Sequence, residues 1–281
     1  MNRLEMILLL LTSIFTLSTA LPYNDTFARY MLPLSSATFS EDPQICLQKL
    51  YVDAKLIKRF EFLCDDSNVN TCSGYLALLN ADKTIVVAFR GSTGTQVQYE
   101  EANNYLGPDF FGMGKVHRYF HRAFMILWNG GMKDEFVSLA QQYADYSIHV
   151  QGQSLGAALS SLASAAIMLD DRFSNRKMTH YNTGQPRVGD AQFAAAHTKL
   201  IPDFYRITHA RDTVSHRPSM DRGFIHYAKE IWYNNTMEPG SPYVVCDSEC
   251  PGERDSWYDH RLYFGTHIGD YGRLGCSTHV L

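Results

Sequence analysis

Residues 152–156, Gly-Gln-Ser-Leu-Gly, place a serine between two glycines. A serine hydroxyl can attack a carbonyl carbon when a neighbouring base removes its proton. The glycines leave room for a sharp turn that would hold the hydroxyl of Ser154 above the edge of a sheet. The five-residue pattern alone is weak evidence, because short patterns of common residues arise by chance. The structural alternative is a small-residue turn that lets a helix pack closely on a strand.

The segments on either side favour the chemical interpretation of Ser154. Residues 146–151 predict a short strand, and residues 156–169 are rich in Ala and Leu, which predicts a buried helix. A strand that turns sharply into a helix is the setting that an exposed nucleophilic serine needs. We therefore interpret Ser154 as a nucleophile. The backbone N–H of Leu155, the next residue, would then help to stabilise a developing oxyanion.

A serine nucleophile needs a base and an acid that orients the base, and in this topology the acid precedes the histidine in the chain. Asp212 follows a predicted strand at 204–209, so its side chain would emerge at the carboxyl edge of the sheet. Asp203 precedes that strand and Asp221 lies farther along the loop; both remain alternatives. Spacing does not select the base among five downstream histidines: His216, His226, His260, His267 and His279.

Strands and helices alternate from residue 84 onwards, which predicts an α/β fold with a mostly parallel central sheet covered by helices on both faces. Residues 93–113 lack periodicity and predict a long loop, a candidate lid. The other predicted elements are a helix at 42–59, a hairpin of strands at 74–79 and 84–89, a helix at 132–144, a strand at 178–183 and a helix at 190–200.

The first twenty residues predict a cleaved signal peptide. Arg3 precedes an apolar run at 6–17, and Ser18 and Ala20 suit a signal peptidase site. The run is too short for a transmembrane span, and no later stretch is long and apolar enough for one. We expect a secreted, soluble protein with a single domain at 21–281.

Six cysteines agree with export, because oxidising compartments allow disulfides to form. Sequence proximity suggests the pairs Cys64–Cys72 and Cys246–Cys250, which leaves Cys46 for Cys276. The sequons at Asn24 and Asn234 would be glycosylation sites in a secreted chain.

The composition leaves little room for several other functions. The net charge is -4, so no general basic surface is available for nucleic acid. Cysteine spacings typical of zinc sites are absent from the sequence. His117 and His121 have the i, i+4 spacing of a helical metal clamp, but they lack a third ligand motif, and structural support is the better interpretation of His121. We expect no cofactor, no metal and no obligate protein partner.

Several segments together resemble the class 3 lipases, a family of α/β-hydrolases that includes secreted fungal triacylglycerol lipases and nematode homologues. The resemblance covers nearly all of the chain after the signal. The matching segments are Thr-Ile-Val-Val-Ala-Phe-Arg-Gly-Ser at 84–92, His-Arg-Ala-Phe at 121–124, Val-Gln-Gly-Gln-Ser-Leu-Gly at 150–156, Gln-Pro-Arg-Val-Gly at 185–189, Asp-Thr-Val-Ser-His-Arg-Pro at 212–218 and Asp-His-Arg-Leu-Tyr-Phe-Gly at 259–265.

The resemblance implies the remaining roles at the site. It selects His260 as the base, through the closing H-x-x-Y-F-G motif, and it supplies Ser92 as a second oxyanion donor. It also places a lid within residues 93–116, which are polar here. Gln153 occupies the position of a usual histidine, which would alter the support of the turn. Ser215 replaces a common proline, which would loosen the loop that holds Asp212.

The sequence therefore predicts a secreted carboxylic ester hydrolase, in first place a triacylglycerol lipase that acts on lipid ester at an oil–water interface. The predicted catalytic residues are Ser154, Asp212 and His260, and the reaction would pass through an acyl-enzyme. A non-lipid esterase similar to feruloyl esterases is the alternative within enzymes. A catalytically silent lipid-binding protein on the same scaffold is the alternative outside them.

Overall fold

The computed structural model describes residues 22–277. The predicted signal peptide at 1–20 and His279 lie outside these residues. The helices are α1 (Asp25–Ala37), α2 (Pro43–Leu50), α3 (Gln96–Ala102), α4 (Arg118–Leu127), α5 (Lys133–Gln142), α6 (Leu155–Met168), α7 (Ala191–Leu200), α8 (Trp257–Arg261) and α9 (Ile268–Arg273). The strands are β1 (Ala54–Leu63), β2 (Thr71–Leu79), β3 (Thr84–Phe89), β4 (Leu106–Asp109), β5 (Lys115–His117), β6 (Ser147–Gln153), β7 (Met178–Thr183), β8 (Phe204–His209), β9 (Lys229–Tyr233), β10 (Val244–Cys246), β11 (Leu262–Tyr263) and β12 (Thr266–His267).

One eight-stranded sheet organises the described residues, in the order β1-β2-β3-β6-β7-β8-β9-β10. The four neighbouring pairs from β3 to β9 are parallel, and the pairs at both ends are antiparallel. Parallel strands joined through helices bring their carboxyl ends to one edge, where residues from different parts of the chain can meet. The predicted α/β fold with a mostly parallel sheet is confirmed.

Helices cover both faces of this sheet because its central strands are apolar on both sides. On β2, Leu76 and Leu78 belong to the core formed with α4, α5 and α6. Their neighbours Tyr75 and Ala77 belong to the core on the opposite face, beneath α1 and α2. Alternate residues of a strand point to opposite faces, so an almost continuous apolar run is what a strand covered on both sides requires.

The prediction of a helix at 42–59 is wrong in its second half. Asp42 caps α2 through a hydrogen bond from the backbone N–H of Gln44, and Pro43 opens the helix, but the helix ends at Leu50. Asp53 then adopts a left-handed conformation, and residues 54–63 pair with β2 as the edge strand of the sheet. Scattered apolar residues among charges suit an edge strand as well as an amphipathic helix, so periodicity could not separate them.

Two further segments differ from the sequence-based expectation. Helix α1 was not predicted, although it packs directly on the sheet, and it contains Pro33. The stretch at 93–113 is not a plain loop, since it contains α3 and β4. The predicted helix at 132–144 is preceded by α4, which passes into α5 through one π-helical turn at Trp128–Met132, where Gly131 has φ 108°.

All three predicted disulfides are present: Cys46–Cys276, Cys64–Cys72 and Cys246–Cys250. The first joins α2 to the segment after α9 and so ties the two ends of the described chain together. Within residues 22–277, no helix has the length and apolar character needed to cross a bilayer.

Candidate active site

Ser154 lies at the turn between β6 and α6, with φ 59° and ψ −128°. The flanking glycines allow this turn because the backbone passes very close to them. A Cβ on Gly152 would lie 2.1 Å from the carbonyl oxygen of Gly156. A Cβ on Gly156 would lie 2.2 Å from the carbonyl oxygen of Phe89 at the end of β3. No side chain fits in either place, so the glycines set the position of the serine.

His260 and Asp212 meet Ser154 at the carboxyl edge of the sheet. The Nε2 atom of His260 lies 2.8 Å from the Oγ of Ser154. The Nδ1 atom of His260 lies 2.9 Å from both carboxylate oxygens of Asp212. Asp212 and His260 are buried, whereas Ser154 is partly exposed. This is the order of contacts that nucleophile, base and acid require.

The competing residues lie elsewhere. Asp221 lies in an exposed turn, where its carboxylate accepts from the hydroxyl of Ser219. His226 contacts the carbonyl oxygen of Ser215, and His267 lies beside Asp270. Among the described histidines after Ser154, His260 is the one within hydrogen-bond distance of its hydroxyl.

Asp212 is held as a carboxylate despite its burial. Burial is the largest single influence and would raise its pKa, but attraction to His260 and the hydrogen bonds to the carboxylate together outweigh that effect. Hydrogen bonds from His260, from the hydroxyl of Tyr263 and from the backbone N–H of Val214 act in the same direction, so the pKa lies below its usual value. Burial and the neighbouring carboxylate raise the pKa of Tyr263 well above its usual value, so its phenol stays a donor.

The loop after Asp212 is not left loose by the serine that replaces the family proline. The hydroxyl of Ser215 donates to the carbonyl oxygen of Asp212 at 2.9 Å. Gln153 also supports the site directly, since its Nε2 donates to the carbonyl oxygen of His260 at 2.9 Å. The same Nε2 lies 3.3 Å from the Nε2 of His260.

Ser92 follows β3 and is positioned through Arg90, whose buried guanidinium anchors the end of that strand. Arg90 donates to the carboxylate of Glu61 at 2.8 Å and to the hydroxyl of Thr71 at 2.9 Å. The hydroxyl of Ser92 donates to the carboxylate of Glu100 on α3. The predicted oxyanion donor is therefore engaged by the helix that covers the site.

Helix α3 lies over the site in a closed arrangement. Val97, Glu100 and Glu101 line an apolar cavity of about 60 Å³ next to Ser154. This is far below the roughly 300 Å³ at which small-molecule pockets begin, so α3 has to move before an acyl chain can bind. Burial raises the pKa of Glu100 to about 8, and the charges of Glu101 and Asp65 add to the effect.

Three contacts of this site were not assigned from the sequence. Tyr263 lies within the quoted closing motif, three residues after His260, and that spacing was its only signal. Glu100 is one of several polar residues in a segment without clear periodicity, so nothing distinguished it. Gln153 was recognised as a departure, but its contact with His260 depends on the tertiary structure.

His117 and His121, which have the spacing of a helical metal clamp, both contact aromatic side chains near the start of α4. His117 Nδ1 accepts from the backbone N–H of Tyr119 at the start of α4, and its ring stacks on Phe120 at 4.0 Å. His121 makes an edge contact with Phe110. Within residues 22–277, no three His, Cys, Asp or Glu side chains are grouped so that they could bind a metal.

Comparison with known proteins places this geometry in a family. Residues 86–222 match the family described as lipase (class 3). A lipase of Caenorhabditis elegans is 32% identical over 297 residues, which cover 91% of this chain and 83% of the relative. A Rhizomucor miehei lipase is 29% identical over 77% of this chain, and a Penicillium cyclopium protein named secreted mono- and diacylglycerol lipase A is 28% identical over 66%. The chain spans about three fifths of each of these two fungal relatives, 60% in both cases.

Solved structures agree on the fold. The Rhizomucor miehei lipase propeptide complex superposes with a TM-score of 0.71 and 26% identity, over 87% of this chain and 81% of that chain. Lipase II from Rhizopus niveus superposes with a TM-score of 0.74 and 23% identity, over 86% and 94%. The chain therefore belongs to the class 3 lipase family and is a carboxylic ester hydrolase.

Proposed function

We propose that this chain is a secreted lipase that cleaves acylglycerol esters, triacylglycerols foremost, with Ser154, His260 and Asp212 as its catalytic residues. The observation that carries the proposal is the continuous line of contacts from the Oγ of Ser154 through the imidazole of His260 to the carboxylate of Asp212. The apolar cavity beside the nucleophile and the lipase names of the relatives support a lipid ester as the substrate.

The geometry is suited to acyl transfer in two steps. His260 accepts the proton of Ser154 as the Oγ attacks the ester carbonyl, and it then gives that proton to the departing alcohol. Water attacks the acyl-enzyme in the same way, releases the fatty acid and restores Ser154. Asp212 holds the imidazole with Nδ1 protonated and stabilises the imidazolium. The backbone N–H of Leu155 and the hydroxyl of Ser92 stabilise the oxyanion, each contributing roughly 3 kcal/mol.

Movement of α3 is part of this proposal. In the closed arrangement Ser92 donates to Glu100, so this hydroxyl is not directed at an oxyanion. Displacement of α3 would free Ser92 and enlarge the apolar cavity in the same movement. Helix α3 therefore acts as a lid in this mechanism.

Secretion is supported by several features of the chain. The three disulfides require an oxidising compartment, and one relative is named as a secreted lipase. Residues 1–20 have the pattern of a signal peptide, and the sequons at Asn24 and Asn234 lie at exposed positions.

Assays on emulsified and dissolved esters test the substrate class. We expect the purified protein to release fatty acid from a triacylglycerol emulsion and, per mole of enzyme, to do so faster than from a dissolved short-chain ester. If acid were released from the dissolved ester but not from the emulsion, the protein would be a non-lipid esterase and not a lipase. Release from neither would favour a silent lipid-binding protein.

Glu100 predicts a pH dependence of lid opening. Its pKa is about 8 in the closed arrangement, against an ordinary value of 4.5 for a carboxyl group in water. A closed form with the higher pKa binds the proton more tightly, so closure loses stability as the pH rises from about 4.5 to 8. We expect the activity of the wild type at pH 9, relative to pH 7, to exceed that of Glu100→Gln several-fold.

Glu253 provides the matched control, because its carboxylate is exposed, pairs with Arg211 and lines neither cavity beside Ser154. Glu253→Gln is expected to keep the wild-type pH dependence of kcat/KM on a dissolved ester. Identical profiles for Glu100→Gln and the wild type would show that Glu100 does not control the lid.

A further inference from the structure

A buried arginine anchors the loop that follows β8. We call residues 212–218 the acid loop, and Arg187, which lies after β7, contacts three successive carbonyl groups of it. The Nη1 of Arg187 donates to the carbonyl oxygens of His216 at 2.5 Å and Pro218 at 2.6 Å. Its backbone N–H donates to the carbonyl oxygen of Arg217 at 2.7 Å. The position of the acid loop therefore depends on where Arg187 lies.

Hydrogen bonds inside the acid loop connect this anchored end to the carboxylate of Asp212. The backbone N–H of Arg217 donates to the carbonyl oxygen of Val214 at 2.9 Å. The backbone N–H of Val214 donates in turn to the carboxylate of Asp212 at 2.8 Å, and the hydroxyl of Ser215 donates to the carbonyl oxygen of Asp212 at 2.9 Å. A displacement of Arg187 would therefore reach the carboxylate that orients the base.

Glu249 is the carboxylate that holds the guanidinium of Arg187. Nε of Arg187 donates to Oε1 of Glu249 at 2.5 Å, and Nη2 donates to Oε2 at 2.8 Å. Two parallel charge-assisted bonds fix the plane of a guanidinium as well as its position. Burial is the largest influence on the pKa of Glu249 and would raise it, but the hydrogen bonds and the charge of Arg187 bring it below its usual value. The pair is therefore ionic although Arg187 is buried.

A short loop closed by the disulfide between Cys246 and Cys250 carries Glu249. The residue before Glu249 accepts through its carbonyl oxygen from the buried guanidinium of Arg206. The residue after it, Cys250, donates its backbone N–H to the buried carboxylate of Glu230 at 2.8 Å. Glu249 is therefore fixed on both sides, although its segment has no regular secondary structure.

We propose that Glu249 is a positioning residue for ester hydrolysis, which acts through Arg187 and the acid loop on the carboxylate of Asp212. This inference rests on the proposed function, because it assumes that Asp212 is the catalytic acid. Without the charge of Glu249, the guanidinium of Arg187 would stay buried close to the like charge of Arg206. A buried cation that has lost its partner is strongly destabilised, so it would move towards water and displace the acid loop.

Glu249→Gln tests the inference, because it removes the charge and keeps nearly the same shape. We expect kcat at a saturating concentration of a dissolved ester to fall about tenfold, since even small misplacements of a catalytic group slow the reaction. Glu249→Asp keeps the charge on a shorter side chain, so its kcat should lie between those of Glu249→Gln and the wild type. In the background of Asp212→Asn, Glu249→Gln should change kcat less than about twofold, because the carboxylate through which it acts is gone. A residue that only stabilised the fold would not show this dependence on Asp212.

Asp170→Asn is the matched control, because Asp170 also accepts two hydrogen bonds from one arginine, Arg172, and is similarly exposed, but it lies after the far end of α6. Its kcat should equal that of the wild type. The inference is overturned if kcat is unchanged in both Glu249 variants, or if the loss in Glu249→Gln persists in the Asp212→Asn background; either result leaves the lipase assignment standing. If Glu249→Gln does not fold, the same two measurements on Glu249→Asp decide. A wild-type kcat in Asp212→Asn alone would instead overturn the catalytic acid of the proposed function.

Discussion

Asp212→Asn is expected to lower kcat on a dissolved ester by about 10⁴-fold while the fold is retained. The carboxylate accepts the Nδ1 proton of His260 and keeps Nε2 free to take the proton of Ser154. An amide in the same place can donate to Nδ1 and so favour the tautomer that carries its proton on Nε2, which cannot act as a base. Steady-state kinetics, with circular dichroism to verify folding, measure the effect.

Asp221→Asn is the control for this change, because Asp221 competes with Asp212 in the sequence but lies in an exposed turn. We expect its kcat to stay within about twofold of the wild type, since it touches no reacting group. Equal losses in the two variants would show that the acid has been assigned to the wrong residue.

Gly184→Ala is expected to reduce kcat by at least about 100-fold, although Gly184 has no reactive group. Gly184 follows β7 with φ 59°, and a Cβ there would lie 2.7 Å from a carboxylate oxygen of Asp212. The same Cβ would lie 2.9 Å from the ring of His260. The methyl group would push the acid and the base apart, and displacement by even about 1 Å is costly in catalysis. Because the loss comes from geometry, it should appear in kcat on both dissolved and emulsified esters.

Gly240→Ala separates this steric effect from backbone strain. Gly240 has φ 82°, and a Cβ there would meet no atom within 4 Å. Its substitution imposes a comparable conformational cost without touching the site. We expect Gly240→Ala to lower the melting temperature without a comparable loss of kcat, and a similar kcat in Gly184→Ala and Gly240→Ala would contradict the steric argument.

The local part of the site could be predicted from the sequence because its physical causes are local. The turn at 152–156 needs two glycines within five residues, and a strand and a helix on either side of it. The strand predicted at 204–209 has the bounds of β8, which placed Asp212 at the correct edge. Strand bounds are easiest to read where both faces are buried, since nearly every side chain is then apolar or internally paired.

The proposed base, His260, could not be found from spacing, because it lies 106 positions after Ser154 in the chain. Their contact depends on how the segment after β10 returns to the sheet, and no periodic pattern encodes that path. Only the resemblance to a family motif selected His260. The helix error at 42–59 has the same origin: residues 54–63 form a strand because β2 offers a partner edge, a tertiary condition that local propensity does not contain.

The contacts of Glu100 and Gln153 show a further limit of sequence reasoning. Glu100 has an acidic side chain and Gln153 has an amide side chain, and side chains of these types are normally solvated. Both reach the site only through folding. Their contacts follow from the places they occupy in the folded protein. Glu100 contacts the hydroxyl of Ser92, and Gln153 contacts the carbonyl group of His260.

Covalent labelling with a fluorophosphonate tests the nucleophilic role of Ser154 most directly. The reagent reacts with serines activated by a neighbouring base, and mass spectrometry locates the adduct. We predict one adduct, on Ser154, in the wild type, no labelling of Ser154→Ala, and normal labelling of Ser219→Ala, which changes an exposed serine away from the site. Labelling of Ser154→Ala at the wild-type level, or an adduct on another serine, would contradict the account.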